Sequence, residues 1–428
     1  MKERLQQFVD EALSRNWPKP KRREVAIKTH HDMVSVFVGM RRTGKTWLCF
    51  QQIHDLIASG VPRDRILYLN FEDDRLTGLS ADELQWLTEF YYVRLPANRE
   101  QECHFYFDEI QNVPGWEKFV RRLLDNENAR ITITGSSAKL LSREIATCLR
   151  GRALTTEVFP LDFQEYGGFH DLALPPSGVV GAPLRSRLLQ ALELYLRDGG
   201  FPAVQDMTPE MRNEVLQNYV DVVLLRDVIE RHGISNVPAL RALTRHLLQN
   251  PAANFSVTRF HGQLQSEGVA CTRDTLHLLM GYLEDAYLAF PVELYTRSAQ
   301  RRRVNPRKIY LADTGLLSAF SLGLTPDRGA RLENLIFLAL RRKGIQVSYG
   351  LTESGHEVDF VYKQGDRQHL VQACWSMDQG STREREIRAL KSMTAEFPGA
   401  SCTIVTWLDE GDEFGVQIIP VWKWLLQK

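Results

Sequence analysis

The sequence predicts an α/β protein whose first large segment is a three-layer core around a parallel sheet. Three observations carry this. Between residues 33 and 165, short apolar runs (MVSVFVG, RILYLNF, HFYFDEI, ARITITGSS, ALTTEVF) alternate with helical stretches. The runs are rich in β-branched residues and nearly continuous in apolar character, as expected of strands covered on both faces. The first run passes directly into a glycine-rich loop and then a helix, TWLCFQQIHDLIASG.

Taken in order, residues 1–32 open with MKERLQQFVDEALSRNW, a charged amphipathic helix without the apolar core of a signal peptide. A basic run, KPKRREVAIK, follows and reads as a solvated linker. Residues 33–165 are the sheet core. Residues 166–236 change to apolar positions three and four apart, hence helices, interrupted at Gly199, Gly200 and Pro202. A third unit spans 237–312, and a mixed α/β unit spans 313–428.

The length of 428 residues suits two to four domains. Lys plus Arg and Asp plus Glu both number 53, so no global field draws the chain to nucleic acid or an acidic membrane. Such contacts must come from local clusters. The six cysteines show no metal or redox spacing, and the eleven histidines contain no His-Glu-x-x-His pattern, which argues against a zinc hydrolase. No uncharged stretch is long enough to span a bilayer. These features point to a cytoplasmic protein with no membrane partner.

Gly39-Met40-Arg41-Arg42-Thr43-Gly44-Lys45-Thr46 fits G-x-x-x-x-G-K-[ST], the phosphate-binding P-loop. Gly39 and Gly44 permit a tight loop, and the amides from Arg42 to Thr46 converge on phosphate at a helix N-terminus. Lys45 neutralises the β- and γ-phosphates, and the Thr46 hydroxyl ligates magnesium. Asp108 closes an apolar strand and supplies the second metal position. Glu109 beside it is placed to activate water, which favours hydrolysis. Ser136, at the end of the fourth strand, reads equally as a γ-phosphate sensor or as a helix N-cap. Arg152, and after it Arg150, stand before the fifth strand, where an arginine serves either as a finger reaching a neighbouring subunit's phosphate or as a structural ion pair.

GMRRTGKT, FYFDEIQNVPGWE, ITGSSAKLL and LRGR, followed by GGFP, LLRDVIERHG, KIYLADTGLL, RLENLIF and EVDFVY, resemble the bacterial and archaeal AAA-type P-loop ATPases that carry a C-terminal domain of unknown function. The resemblance spans roughly residues 33–380. It implies a P-loop ATPase core at 33–165, a helical lid at 166–236, a winged-helix domain at 237–312 and a nuclease-like fold at 313–428. It further implies ATP as ligand and a homo-oligomer, a ring hexamer in AAA relatives.

Residues 256–311 also read on their own as helix, turn, helix and hairpin, a winged helix-turn-helix. Its hairpin tip carries Arg297, Arg301, Arg302, Arg303, Arg307 and Lys308, six cations suited to phosphates. The helix before it offers little for reading bases, so DNA contact through Arg301, Arg302 and Arg303 would be to the backbone. A protein-contact or merely solvated role for this run is the competing reading. In the last unit, Glu333, Glu357 and Asp359 resemble the metal carboxylates of the restriction-endonuclease-like fold. Gln372-Ala373-Cys374 replaces the Glu-x-Lys element, so the module is expected to be degenerate. The leading expectation is a magnesium-dependent ATPase coupled to DNA binding or remodelling. Its rivals are a nucleotide-gated switch presenting the C-terminal domains to protein partners and, less favoured, a DNA nuclease.

Overall fold

The structure is a computed structural model that describes residues 2–137, 149, 151–172, 174–175, 180–321 and 327–427. It divides into two compact units, residues 1–159 with 285–287, and residues 160–284 with 288–428.

The first unit holds helix α1 (Lys2–Ser14) and five parallel strands: β1 (Val34–Val38), β2 (Ile66–Asn70), β3 (Cys103–Asp108), β4 (Ala129–Gly135) and β5 (Ala153–Glu157). Their order in the sheet is β2-β3-β4-β1-β5. Helix α2 (Lys45–Ala58) leaves β1 and crosses to the far edge, α3 (Ala81–Arg94) joins β2 to β3, and α4 (Trp116–Asn126) joins β3 to β4. In register, Val38 lies beside Gly135 and Asn70 beside Asp108, so the carboxyl ends of β1 to β4 form one rim. Every residue of β1 and β3 is buried, which explains runs without polar alternation. Phe37, Leu48, Phe50, Ile53, Tyr68, Tyr106 and Val158 form the core beneath α2.

The basic run at 19–28 does not behave as a solvated linker. Trp17 is buried against that core, Val25 and Ile27 pack on it, and Arg23 is only 6% exposed. Its charged residues divide: Arg22 stays outside with Asp55, while Arg23 turns in.

The second unit begins with helices Phe163–Phe169, Ala182–Asp198 and Pro209–Val222, the last continuing through wider π-helical turns at Val223–Glu230. Helix Val237–Gln249 precedes a small antiparallel sheet, β6 (Asn254–Phe255), β8 (Arg307–Leu311) and β7 (Ala289–Val292), with helices Val257–Ser266 and Arg273–Asp285 between β6 and β7. The expected hairpin tip is instead a short helix, Ala299–Val304, capped when Ser298 Oγ accepts from the Arg301 amide. After helix Arg328–Arg342 come six strands in the order β13-β14-β12-β11-β10-β9: β9 (Ser348–Leu351), β10 (Glu357–Gln364), β11 (Arg367–Cys374), β12 (Ser401–Thr406), β13 (Gly411–Glu413) and β14 (Val416–Pro420). Among the described residues no helix is long and apolar enough to cross a membrane.

The GGFP and ADTG segments meet within this unit. Asp313 is buried, and its carboxylate accepts from the amides of Gly200 (2.7 Å) and Gly315 (2.8 Å). Gly199 has φ 76°, and a Cβ there would lie 1.8 Å from Asp313 Oδ1. A Cβ on Gly200 would lie 2.2 Å from the Leu161 carbonyl oxygen. The glycine pair therefore exists to let a carboxylate and a carbonyl approach the backbone. Burial pushes the Asp313 carboxyl up to about 6, against the lowering effect of the two amide bonds. The folded state thus holds a proton that the unfolded chain has released, so this group's contribution is most favourable below the unfolded value of 3.8 and is lost as pH rises toward 6. Thermal melts from pH 4 to 7 should show a decline for the parent chain that Asp313→Asn flattens, by at most about 3 kcal/mol across the window.

Candidate nucleotide site

The loop 39–46 connects β1 to α2 at the rim. Gly39 takes φ 155°, and a Cβ on it would sit 2.2 Å from the Val158 carbonyl oxygen, so the packed end of β5 demands glycine. Arg42 (φ 68°) and Gly44 (φ 98°) are left-handed. Left-handed residues alternating with ordinary ones turn successive amides toward one concavity, the geometry that binds anions. Gly44 stands at the N-cap of α2 with no side-chain cap, leaving the helix's first donors for a ligand. Thr43 is buried, its hydroxyl donating to the Met40 carbonyl at 3.0 Å. Lys45 is buried and donates to the carbonyls of Gly39 (2.9 Å) and Met40 (3.1 Å).

The acidic strand end comes to the loop. Thr46 Oγ1 donates to Asp108 Oδ2 at 2.7 Å, and the Tyr68 hydroxyl donates to the same oxygen at 2.6 Å. Thr134 Oγ1 donates to Asp108 Oδ1 and accepts from the Glu109 amide at 2.9 Å. Burial, and then the neighbouring Glu109, push the Asp108 carboxyl up, while the three hydroxyl donors oppose that. Burial and Asp108 likewise raise the Tyr68 phenol, so it stays a donor. Glu109 is left-handed at φ 53°, a strained backbone for a non-glycine residue. One of its oxygens lies 3.6 Å from Lys45 Nζ, and the other accepts from Gln111.

Thr46 and Asp108 present hard oxygen ligands side by side, the donor set that magnesium takes together with substrate phosphates. A carboxylate that burial disfavours as an anion is also one that a divalent cation would stabilise. The residues fit the ion.

Ser136 and Ser137 are buried at the end of β4, and both have partners. Arg152 lies before β5, at the opposite rim from its own loop. Its main chain accepts from Val34, and its guanidinium bonds Asp125 at 2.6 Å. It is thus in an intrachain ion pair. Arg150 and the segment following Ser137 lie outside the described residues. Tyr68 and Arg23 were not singled out by the sequence. An aromatic inside a strand reads as core, and an arginine inside a basic run reads as surface.

The site lies within a span that matches a known family. Residues 31–167 match the family described as AAA domain, and residues 189–328 match a domain of unknown function, DUF8612. The uncharacterized protein MJ1544 of Methanocaldococcus jannaschii is 34% identical over 418 residues, covering 94% of this chain and 90% of its own. This chain belongs to the MJ1544 family. An uncharacterized protein of Haemophilus influenzae is 28% identical over 400 residues, 92% of this chain and 95% of its own. The Walker-type ATPase of Pyrococcus abyssi covers 75% of this chain and 95% of its own at 16% identity, with a TM-score of 0.44. The matched AAA span supports a P-loop NTPase core, and loop 39–46 lies within it.

Further along this MJ1544-family chain, the expected cation clusters are rearranged. Arg301 and Arg302 are exposed on helix Ala299–Val304, with Arg302 donating to the Thr296 carbonyl at 2.8 Å. The side chain of Arg303 lies outside the described atoms. Arg307 pairs with Glu293 at 3.0 Å. Lys308 does not face outward at all, because its strand turns it in. Its Nζ lies 2.8 Å from Glu333, 2.6 Å from Glu357 and 2.7 Å from Asp359. So the wing presents fewer free cations than the six counted in its sequence, and the three carboxylates share an internal ammonium. Gln372 Oε1 accepts from the Asp359 amide. Among the described residues no group of three or more His, Cys, Asp or Glu is arranged to hold a metal. Burial pulls the Lys308 ammonium down, but Asp359, Glu333 and Glu357 outweigh it and hold it above the ordinary lysine value. Burial, and then Asp359, push the Glu333 carboxyl up. Lys308→Met should therefore strand buried carboxylates and cost about 3–5 kcal/mol in denaturant unfolding at pH 7.5. The loss should shrink as pH falls to 5 and the carboxyls take up protons.

Proposed function

We propose that this chain is a magnesium-dependent ATP hydrolase that acts as a homo-oligomer and couples turnover to DNA binding or remodelling. The observation that carries the ATPase reading is the 2.7 Å bond between Thr46 and Asp108, which joins the phosphate loop to the acidic strand end. The loop amides and Lys45 bind the triphosphate. Thr46 and Asp108 would hold magnesium, which supplies charge neutralisation at the phosphate oxygens. Glu109 orients water and accepts its proton, with its backbone fixed by the Thr134 hydroxyl. To do so it must leave Lys45, which then turns from the loop carbonyls to phosphate. Ser136 senses the γ-phosphate from the end of β4. In the oligomer, Arg152 exchanges Asp125 for a neighbour's phosphate, with Arg150 as the alternative finger.

In this reading residues 166–236 serve as a lid, 237–312 as a winged helix, and 313–428 as a degenerate nuclease-like module. Helix–turn–helix elements followed by β7 and β8 support the winged helix, and exposed Arg301 and Arg302 support backbone contact with DNA. The ammonium of Lys308 among the three carboxylates disfavours the nuclease reading. A second reading, a slow nucleotide-gated switch, is favoured by Glu109 being tied to both Lys45 and Gln111.

Phosphate release should require magnesium. Lys45→Ala should abolish ATP binding, and Glu109→Gln should keep binding while lowering kcat ~100-fold or more. Stimulation by single-stranded, duplex or branched DNA supports the coupled ATPase. Slow turnover indifferent to every DNA would establish the switch. Full turnover by Lys45→Ala would contradict the site itself.

A further inference from the structure

The sequence-level linker enters the phosphate loop from behind. Arg23 Nη1 donates to the Thr43 carbonyl at 2.7 Å, and Nη2 donates to the Phe159 carbonyl at 3.0 Å. Its own main chain is clasped by one α2 side chain. The Arg23 amide donates to Gln51 Oε1 at 2.7 Å, and Gln51 Nε2 donates to the Arg23 carbonyl at 3.0 Å. Gln51 is itself buried. One guanidinium thus spans the middle of the loop and the exit of β5, held by a residue on the helix that the loop starts.

Peptide planarity turns this into a statement about the ligand. In a trans peptide the carbonyl of Thr43 and the N–H of Gly44 point in opposite directions from one rigid plane. A donor that holds the carbonyl on the outer side of the loop fixes that N–H toward the inner side, where phosphate binds. Gly44 is a glycine at φ 98°, with no side chain to hold this plane in place, so the plane is free to flip without an anchor. Two of the guanidinium's donors go to carbonyls on separate segments, a geometry lysine's single ammonium matches poorly.

We infer that Arg23 is a positioning residue for the triphosphate, so that Arg23 belongs to the nucleotide site rather than to a linker leading to it. This rests on the nucleotide reading above. Arg23 does not touch substrate; it acts through the Thr43–Gly44 peptide.

The test measures binding of ATP with magnesium, and separately of inorganic tripolyphosphate with magnesium, to the full-length chain. Arg23→Met should weaken both ligands at least tenfold and by the same factor, because the defect lies at the phosphates. Arg23→Lys should recover part of the loss. Gln51→Leu, which releases the Arg23 main chain while keeping its guanidinium, should weaken both in the same sense. Arg22→Ala, which removes only the exposed pair with Asp55, should bind as the parent does. Melting temperatures taken alongside separate grip from stability. A folded Arg23→Met protein with parental affinity, or one that loses ATP but keeps tripolyphosphate, would overturn the inference. If the parent chain bound ATP in neither presence nor absence of magnesium, the nucleotide reading would fall first and this inference with it.

Discussion

The first unit is organised around one buried carboxylate. Asp108 ends β3, yet the loop it serves follows β1, and β4 stands between those strands. The gap is bridged by hydroxyls. Thr134 on β4 and Thr46 on α2 reach Asp108 from one side of the sheet order, and Tyr68 on β2 reaches it from the other. Three chain segments, α2, β2 and β4, thus converge on two oxygen atoms of a residue on β3. Burying a carboxylate is unfavourable unless its lone pairs are satisfied, and three hydroxyl donors satisfy them here.

That arrangement imposes backbone strain around it. Glu109 must follow Asp108 in a left-handed conformation so that its amide can reach the Thr134 hydroxyl. Across the rim, Arg42 is left-handed and Gly39 lies against the end of β5. Such conformations persist only where neighbouring structure over-determines them. Here the neighbours are the parallel sheet below and segment 15–28 behind. In the proposed function, the Lys45–Glu109 pair holds together two groups that the chemistry would need apart, so nucleotide entry and the release of Glu109 would be one event.

Much of this was legible in the sequence because local chemistry and position coincide. The P-loop spacing demands a strand before it and a helix after it, and β1 and α2 are where that requires. Asp108 and Glu109 follow an apolar run too continuous to be anything but a covered strand. The contributions that escaped are those whose partners are distant in sequence. Arg23 looks like one cation among several until Gln51 and two carbonyls claim it. Lys308 looks like a wing cation, but strand alternation turns it toward Glu333 on helix Arg328–Arg342 and Asp359 on β10. The helix at 299–304 replaced an expected hairpin tip because Ser298 caps a run of good helix formers, Ala-Gln-Arg-Arg-Arg.

The central claim is that Thr46 and Asp108 act as one unit toward the nucleotide's cation. A double-mutant cycle on the affinity for ATP in the presence of magnesium addresses it most directly, using Thr46→Val, Asp108→Asn and the pair together. The account predicts that each single change removes most of the magnesium-dependent affinity and that the double change costs little more than either alone. Additive losses, or affinities that do not depend on magnesium in any of the four proteins, would contradict it.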